Sequence, residues 1–155
     1  MKFIKKFEDR YSDIFFNSDD SVFEACRRGD LEVVQEYIEV EKGDVNNIDK
    51  YGYTLLILAA DNNRIDVVKY LIGKGADINY QDIYNRTALN YATLRENNDI
   101  VRFLIEANAN WNLKDNLGND FLTYLLPINK INIIEEYPEQ YQKYLTIKKS
   151  EKFNL

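Results

Sequence analysis

The chain has 155 residues, 45% hydrophobic and 30% charged, with a net charge of −6, one cysteine and no histidine. The hydrophobic content is typical of a soluble fold, and no stretch reaches the roughly 18 apolar residues that a membrane span needs. The first six residues are followed by charge and not by an apolar core, so we expect no signal peptide and a cytoplasmic protein.

Composition also argues against catalysis. Without histidine the chain cannot form a Ser-His or Cys-His pair or an imidazole metal site, and Cys26 alone cannot build a thiolate zinc site. The pairs Asp19-Asp20 and Glu135-Glu136 are sequence neighbours and are better explained as solvated or capping side chains. Gly73-Lys74-Gly75 lacks the spacing of a phosphate loop and fits a helix end. We expect no enzyme activity, no cofactor and no metal.

The first predicted element is an amphipathic helix at residues 1–16. Aromatic and aliphatic residues recur there at three- and four-residue spacing, which places them on one helical face. They are Phe3, Phe7, Tyr11, Ile14 and Phe15. We expect this face to cap the open edge of the following fold, since amphipathic helices usually face a core. A membrane-binding stripe or an export signal is the alternative.

The middle of the chain repeats with a period of 33 residues. Asp49, Asp82 and Asp115 are spaced by this interval, and residues 49–81 align with residues 82–114. The second halves of the two units match closely, DVVKYLI over DIVRFLI and GADIN over NANWN. A unit of this length is too short to form its own core, so it indicates copies stacked on one another in a solenoid.

Two further copies flank the central pair. An earlier copy runs from Asp20 to Asn46 and carries one extra residue, which we assign to the loop at residues 39–43. A fourth copy begins at Asp115 and then loses the pattern. Degraded end copies are expected in solenoids, because one of their faces meets water instead of a neighbour.

Each copy carries the local signals of a helical hairpin. Four residues are predicted helix N-caps, because their side-chain oxygens can accept from amides two or three residues on. They are Thr54, Thr87, Asp20 and Asp120. Glycine or asparagine recurs where a left-handed backbone is expected. These positions are Gly29 and Asn63 between the two helices, Gly75 and Asn108 after the second helix, and Gly52, Asn85 and Gly118 in the turn before a first helix.

Small and apolar residues mark the expected core. Ala59 and Ala92 would allow the first helices of neighbouring copies to approach closely. Cys26 aligns with Ala60, so we expect a small core residue there rather than a reactive thiol. Trp111 is expected to pack at the flank of the fourth copy, with an exposed anchor for a partner as the alternative.

The end of the chain is predicted to form a second cap. Pro138 falls where a helix would otherwise continue, and proline inside a helix costs about 3 kcal/mol, so we expect a break there. A new helix is expected at residues 140–145, with Tyr141, Tyr144 and Leu145 packing back. From about Lys148 the residues are charged and without a pattern, and we expect them to fray.

These residues resemble the ankyrin repeat, whose pattern is a turn, a Thr-Pro-Leu-His helix start, a second helix and a Gly-Ala-Asp-Val-Asn exit. The resemblance implies an all-α solenoid of stacked helix-turn-helix units joined by β-hairpin-like turns. We expect copies at about residues 17–48, 49–81, 82–114 and 115–137, a capping helix at 1–16 and a capping helix with a tail at 138–155. The chain departs from the pattern at the Pro and His positions and carries Glu96 where Gly is usual.

The resemblance also implies a binding surface. In this family the hairpin turns and the exposed sides of the first helices line a concave groove, here called the groove, which generally binds protein partners. The matching residues are Arg27, Arg28, Lys50, Tyr51, Tyr53, Asp61, Asn62, Ile83, Tyr84, Arg86, Leu94, Arg95, Asn116, Leu117 and Asn119. Tyrosine, arginine and exposed aliphatics are enriched at hot spots of interfaces. The alternative is that single exposed apolar residues occur on any surface.

The charges of the groove residues indicate what kind of partner the groove would bind. The groove residues include four arginines and one lysine against a single aspartate, which predicts a basic groove on an acidic body, suited to a protein with an acidic surface. A pI near 4.8 disfavours nucleic acid, and no membrane contact is expected.

We therefore expect a monomeric, non-catalytic protein-binding scaffold that acts as an inhibitor, an immunity protein or an adaptor. A self-associating structural protein and a bacterial effector delivered into a host cell are the alternatives.

Overall fold

The computed structural model describes residues 18–125 and 127–153, and the capping helix predicted at residues 1–16 lies outside them. The described part of the chain is helical and contains no strand. Its helices are α1 Ser18–Arg28, α2 Leu31–Glu39, α3 Leu55–Asp61, α4 Ile65–Gly73, α5 Ala88–Leu94, α6 Asn98–Glu106, α7 Phe121–Tyr124, α8 Pro127–Glu136 and α9 Pro138–Phe153.

The helices form the stacked hairpins that the sequence predicted. The inner helices α1, α3, α5 and α7 pack in that order, and the outer helices α2, α4 and α6 pack beside them. Each of the first three inner helices also contacts the outer helix that follows it. The prediction of an all-α repeat solenoid is thus confirmed. Because each hairpin contacts only its neighbours, the core extends along the stack.

Threonine and aspartate begin the inner helices, as predicted at three of four positions. The Thr54 hydroxyl accepts from the Ile57 amide at 3.2 Å, and Asp120 accepts from the Thr123 amide at 3.1 Å. Thr87 forms a reciprocal capping box with Asn90. The prediction for Asp20 was wrong, because α1 already begins at Ser18 and Asp20 lies inside its first turn.

The predicted left-handed turn positions all have positive φ angles. Two further residues, neither of them glycine or asparagine, also have positive φ angles. Glu96 adopts a φ of 59° at the turn between α5 and α6, and Lys42 adopts a φ of 58° in the loop at residues 39–43. That loop carries the one extra residue of the first copy. Left-handed backbone is costly for a residue with a Cβ atom, so the stacking of the hairpins imposes the turn even where the side chain does not favour it.

The three periodic aspartates hold the same local conformation. In each, Oδ1 accepts from the amides two and four residues on, at 2.9 or 3.0 Å. The aspartate amide donates to the carbonyl four residues on, at 2.9 to 3.1 Å. A single antiparallel bridge between Ile48 and Thr54 marks one turn as hairpin-like. The 33-residue period therefore corresponds to one recurring hydrogen-bonded turn.

Asparagine links the exits of successive copies. Asn46 Oδ1 accepts from the Asp77 amide at 2.8 Å, and Asn79 Oδ1 accepts from the Asn110 amide at the same distance. The next member of this ladder is Asn112, whose buried Oδ1 has no hydrogen-bond partner among the described residues. The ladder ends where the regular repeats end.

Small and apolar residues fill the space between the hairpins. Ala59 and Ala92 are fully buried on adjacent inner helices, as the sequence predicted. Cys26 is also fully buried, and this burial raises the pKa of its thiol to about 12, so it is a core residue and not a reactive thiol. Trp111 is buried against Phe121, with ring centroids 5.2 Å apart, as predicted for a packing residue.

The C-terminal helix differs from the prediction. The chain breaks between α8 and α9 as expected, but Pro138 is the first residue of α9, where proline is tolerated. The expectation that residues from about Lys148 fray was wrong, since α9 continues to Phe153. Its charged side chains explain this, because Lys148 lies 2.7 Å from Asp120 and Lys114 lies 2.9 Å from Glu151.

Candidate functional site

The hairpin turns before the inner helices lie next to one another. Between the third and fourth turns, the Asn116 amide donates to the Tyr84 carbonyl at 3.0 Å, and its side-chain amide donates to the Ile83 carbonyl at 3.0 Å. Between the second and third turns, Ile83 Cγ2 approaches Gly52 so closely that an added Cβ would lie 3.0 Å away. The turns therefore form one continuous edge of the stack.

Apolar side chains line this edge without being covered. Three of them occupy the same position of successive copies and are here called the tip row: Tyr51, Tyr84 and Leu117. Their exposed fractions are 55%, 48% and 77%. Ile83 and Leu94, which were also predicted for the groove, are exposed as well. Five predicted groove residues are thus large, apolar and uncovered, while most other large apolar side chains of the described chain lie in the core.

Three of the four groove arginines are paired with carboxylates, so the groove carries less unpaired positive charge than its composition indicated. Arg27 donates to Asp49 at 2.8 Å, Arg28 donates to Glu24 at 2.9 Å, and Arg95 donates to Asp61 at 2.7 Å. The sequence could not show this, because two of these pairs join neighbouring copies and one joins successive turns of α1. Lys50 differs, since its ammonium group lies 5.1 Å from the centre of the Tyr51 ring.

Polar residues predicted for the groove are held by the stack itself. Asn62 donates to the Leu58 carbonyl at the end of α3. Tyr53 is partly buried and contacts Tyr91 edge to face, with ring centroids 5.7 Å apart. Asn119 is partly buried, and its backbone amide and carbonyl each form a hydrogen bond with Asp115 in the fourth turn. These side chains support the surface more than they extend from it.

Arg86 is the least satisfied arginine of the groove. Its Nε is 3.5 Å from Asp115 Oδ2, but it is buried and forms no hydrogen bond. The guanidinium lies 5.9 Å from the Tyr84 ring and 5.8 Å from the Tyr124 ring. Burial alone would lower the pKa of Arg86, but Tyr124, Tyr91 and Asp115 outweigh it and raise the pKa.

Tyrosines that sequence analysis missed hold the second oxygen of two periodic aspartates. The Tyr91 hydroxyl donates to Asp82 Oδ2 at 2.6 Å, and the Tyr124 hydroxyl donates to Asp115 Oδ2. Burial and the hydrogen bond to Asp82 both raise the pKa of Tyr91. The signal was present, since both tyrosines follow their aspartate by nine residues. In the second copy Leu58 has that place, and Arg27 supplies the hydrogen bond instead.

Two exposed apolar residues were also missed. Ile48 precedes the second turn and is 47% exposed, and Val40 follows α2 and is 71% exposed. Ile48 extends the apolar edge, whereas Val40 lies at the end of an outer helix.

Other kinds of site find no support in the described residues. They contain no group of three or more Cys, Asp or Glu residues placed to hold a metal ion. No described helix is both long and apolar enough to cross a membrane.

The family model described as ankyrin repeats (3 copies) matches residues 22–115, which is more than half of the chain. This chain belongs to the ankyrin repeat family. Ankyrin repeats generally mediate protein–protein interaction and are typically not enzymes.

Curated relatives share the repeats only. The chain is 45% identical over 53 residues to BTB/POZ domain-containing protein 3 of Schizosaccharomyces pombe, covering 34% of this chain and 10% of that protein. It is 43% identical over 60 residues to Alpha-latroinsectotoxin-Lt1a of Latrodectus tredecimguttatus, covering 39% and 4%. It is 49% identical over 53 residues to Palmitoyltransferase AKR1 of Candida glabrata, covering 34% and 7%. The matched segment is thus a tenth or less of each of these proteins.

Proposed function

We propose that this chain is a non-catalytic binding module that holds a protein partner on its groove, centred on the tip row. The observation that carries this proposal is the repeated exposure of Tyr51, Tyr84 and Leu117 at one position of three successive copies. The same aspartate-centred turn presents all three, so their spacing is set by the stack. Because the backbone of such a row is already ordered, binding a partner costs little conformational entropy.

The chemistry of the row suits a protein surface. Tyrosine combines a large apolar ring with a hydroxyl that can form hydrogen bonds, and it is among the residues enriched at binding hot spots. Ile83, which precedes Tyr84 in the chain, enlarges the apolar area, and Leu94 adds an exposed apolar side chain at the far end of α5. The paired arginines around it form a polar rim, as in ordinary non-obligate interfaces.

The cellular role belongs to the same proposal. A stack of ankyrin repeats that holds a partner on its groove is suited to act as an inhibitor, as an immunity protein that blocks a toxin, or as an adaptor. The cytoplasm is the compartment we propose, since the chain has one cysteine and that cysteine is a buried core residue.

The test is affinity capture from the source organism with the intact chain and with a variant carrying Tyr51→Ala, Tyr84→Ala and Leu117→Ala. Proteins that bind the intact chain should be lost or weakened at least about 100-fold with the variant, because two or three hot-spot side chains are removed. Binding of each candidate is then measured with purified proteins by calorimetry.

A matched control carries Val40→Ala and Glu41→Ala, which remove exposed side chains at the end of α2. It should retain every partner. Equal binding by the intact chain and the tip-row variant would place the site elsewhere and reject the proposal.

A further inference from the structure

Arg86 is held at the groove with its charge only partly matched. Each of the other five arginines in the described chain donates a hydrogen bond to a carboxylate or a carbonyl. These arginines are Arg27, Arg28, Arg64, Arg95 and Arg102. Arg86 donates none to either kind of group among the described residues, and its nearest carboxylate oxygen is 3.5 Å from Nε.

Asp115 cannot satisfy Arg86 fully because its oxygens already have partners. Oδ1 accepts from the amides of Leu117 and Asn119, each at 2.9 Å. Oδ2 accepts from the Tyr124 hydroxyl. The side chain of Asp115 is 1% exposed, so it cannot turn toward the guanidinium without breaking the turn. A buried carboxylate used in this way fixes the arginine nearby but leaves its terminal nitrogens without a carboxylate partner.

Two aromatic rings hold the guanidinium in place. Tyr84 and Tyr124 lie at cation–π distance from it, and the Arg86 side chain remains 27% exposed. Since Nε is buried, that exposed part belongs to other atoms of the side chain. An arginine whose plane is already restrained loses little entropy when it binds a carboxylate with two parallel hydrogen bonds.

We propose that Arg86 is the anchor for an Asp or Glu side chain of the protein partner, and that an adjacent apolar side chain of the same segment packs on Tyr84 and Leu117. This inference rests on the proposed function and names the chemistry of the segment that the groove binds. The apolar part follows from the exposure of the tip row, and the acidic part follows from the incomplete pairing of Arg86.

A single carboxylate fits this position better than a polyanion. The chain has a net charge of −6, which repels a nucleic acid at long range. The other groove arginines are already paired, so a chain of phosphates would meet only two available cations, Arg86 and Lys50, beside several carboxylates. One acidic side chain needs only the one guanidinium.

The experiment is selection of peptides from a random phage-displayed library on the intact chain, with the random segment followed by a fixed linker so that no peptide has a free carboxyl terminus. Selected peptides should carry Asp or Glu next to an aliphatic or aromatic residue. Synthetic copies should bind Arg86→Gln about 10- to 100-fold more weakly than the intact chain, because a charge-assisted hydrogen bond is lost. Binding to Arg86→Lys should be intermediate, because lysine keeps the positive charge but lacks the two parallel N–H donors of the guanidinium.

Arg102→Gln is the matched control, since it removes an arginine on the outer helix α6, outside the groove, that already has its own carboxylate in Glu136. It should change the affinity less than about threefold. Circular dichroism and melting of Arg86→Gln establish that it is folded at the temperature of the assay. If that variant is not folded, the peptide and Arg86→Lys decide instead: a peptide with Asn or Gln in place of its acid should bind the intact chain about 10- to 100-fold more weakly, and this loss should be smaller with Arg86→Lys.

The outcomes separate this inference from the proposed function. The inference is overturned if the selected peptides need Tyr84 but bind Arg86→Gln at full strength. It is also overturned if the peptides carry no acidic residue. Either result leaves the proposed function standing. Selection of peptides that bind the tip-row variant unchanged, or of none, counts against both. Binding of a short DNA strand that is lost in Arg86→Gln would identify a phosphate as the ligand and overturn the carboxylate assignment.

Discussion

At the scale of single residues, each periodic aspartate uses its two oxygens for different purposes. Oδ1 closes the turn in the same way in all three copies, and this local pattern was readable from the 33-residue interval. Oδ2 has a different partner in the second copy, where Arg27 replaces the tyrosine used later. Local hydrogen bonds follow from sequence spacing, whereas Arg27 is brought to Asp49 by the packing of one copy on the next.

A close contact between Gly43 and Tyr37 gives a prediction at this scale. A Cβ atom added to Gly43 would lie 2.2 Å from Cζ of the Tyr37 ring, which is 8% exposed and whose hydroxyl accepts from Asn47. We expect Gly43→Ala to lower the free energy of unfolding by about 1–3 kcal/mol, since the ring must move. Urea unfolding followed by circular dichroism measures this.

Gly73→Ala is the matched control. Gly73 ends α4, and no atom lies within 4 Å of the position of its added methyl group. Because alanine favours a helix over glycine, we expect this change to raise the free energy of unfolding by about 0.5–1 kcal/mol. If Gly43→Ala leaves the free energy of unfolding unchanged, the loop after α2 accommodates the added methyl group at little cost.

At the scale of helices, one recurring contact links the outer helices. The Tyr70 hydroxyl donates to Glu39, and the Tyr137 hydroxyl donates to Glu106, each at 3.1 Å and across 31 residues. Tyr137 follows α8, so α8 occupies the place of an outer helix in the fourth copy. The sequence predicted a degraded fourth copy there but not this contact, because the tyrosine is shifted by one residue against the period.

Asp120 joins α7 to α9 and should make that junction sensitive to acid. It caps α7, accepts from the Tyr144 hydroxyl at 3.0 Å and lies 2.7 Å from Lys148 Nζ. Burial alone would raise the pKa of Asp120, but hydrogen bonds from Lys148, Thr123 and Tyr144 hold it below its ordinary value of 3.8. A lowered pKa stabilises the fold above the ordinary value, and this stabilisation is lost as the pH falls below it.

We therefore expect the urea midpoint of the intact chain to fall between about pH 5 and about pH 3. Asp120→Asn keeps a capping oxygen but cannot titrate, so its midpoint should be lower at neutral pH and should fall less on acidification. Part of the fall remains in the variant, because hydrogen bonds also hold the pKa of Asp115 below its ordinary value despite burial. An identical pH profile for both proteins would show that Asp120 does not secure α9.

At the scale of the whole molecule, charge and exposed apolar area act in opposite directions on self-association. The net charge of −6 keeps copies apart, whereas the tip row could pair with another copy. The apolar edge is narrow and surrounded by polar side chains, so we expect a monomer. One narrow row of this kind offers less apolar area than the interface of a stable dimer usually buries.

Sedimentation equilibrium from about 1 to about 500 µM tests this expectation. We expect the mass of one chain, 18.3 kDa, throughout the range. A dimer that the tip-row changes dissociate would support the self-associating structural protein. A dimer that persists in the tip-row variant would place the contact on another surface.

The sequence by itself determined the repeat, its turns and most helix starts, because these depend on contacts within about four residues. Thr54, Asn85 and Gly118 could be assigned in this way. Only the tertiary structure decided which groove side chains remain available. Arg27 and Arg95 are paired by residues 22 and 34 positions away, Arg86 is left incompletely paired, and α9 continues past Lys148 because the fourth copy supplies its partner. Such pairings depend on the offset between stacked copies, which no local pattern encodes.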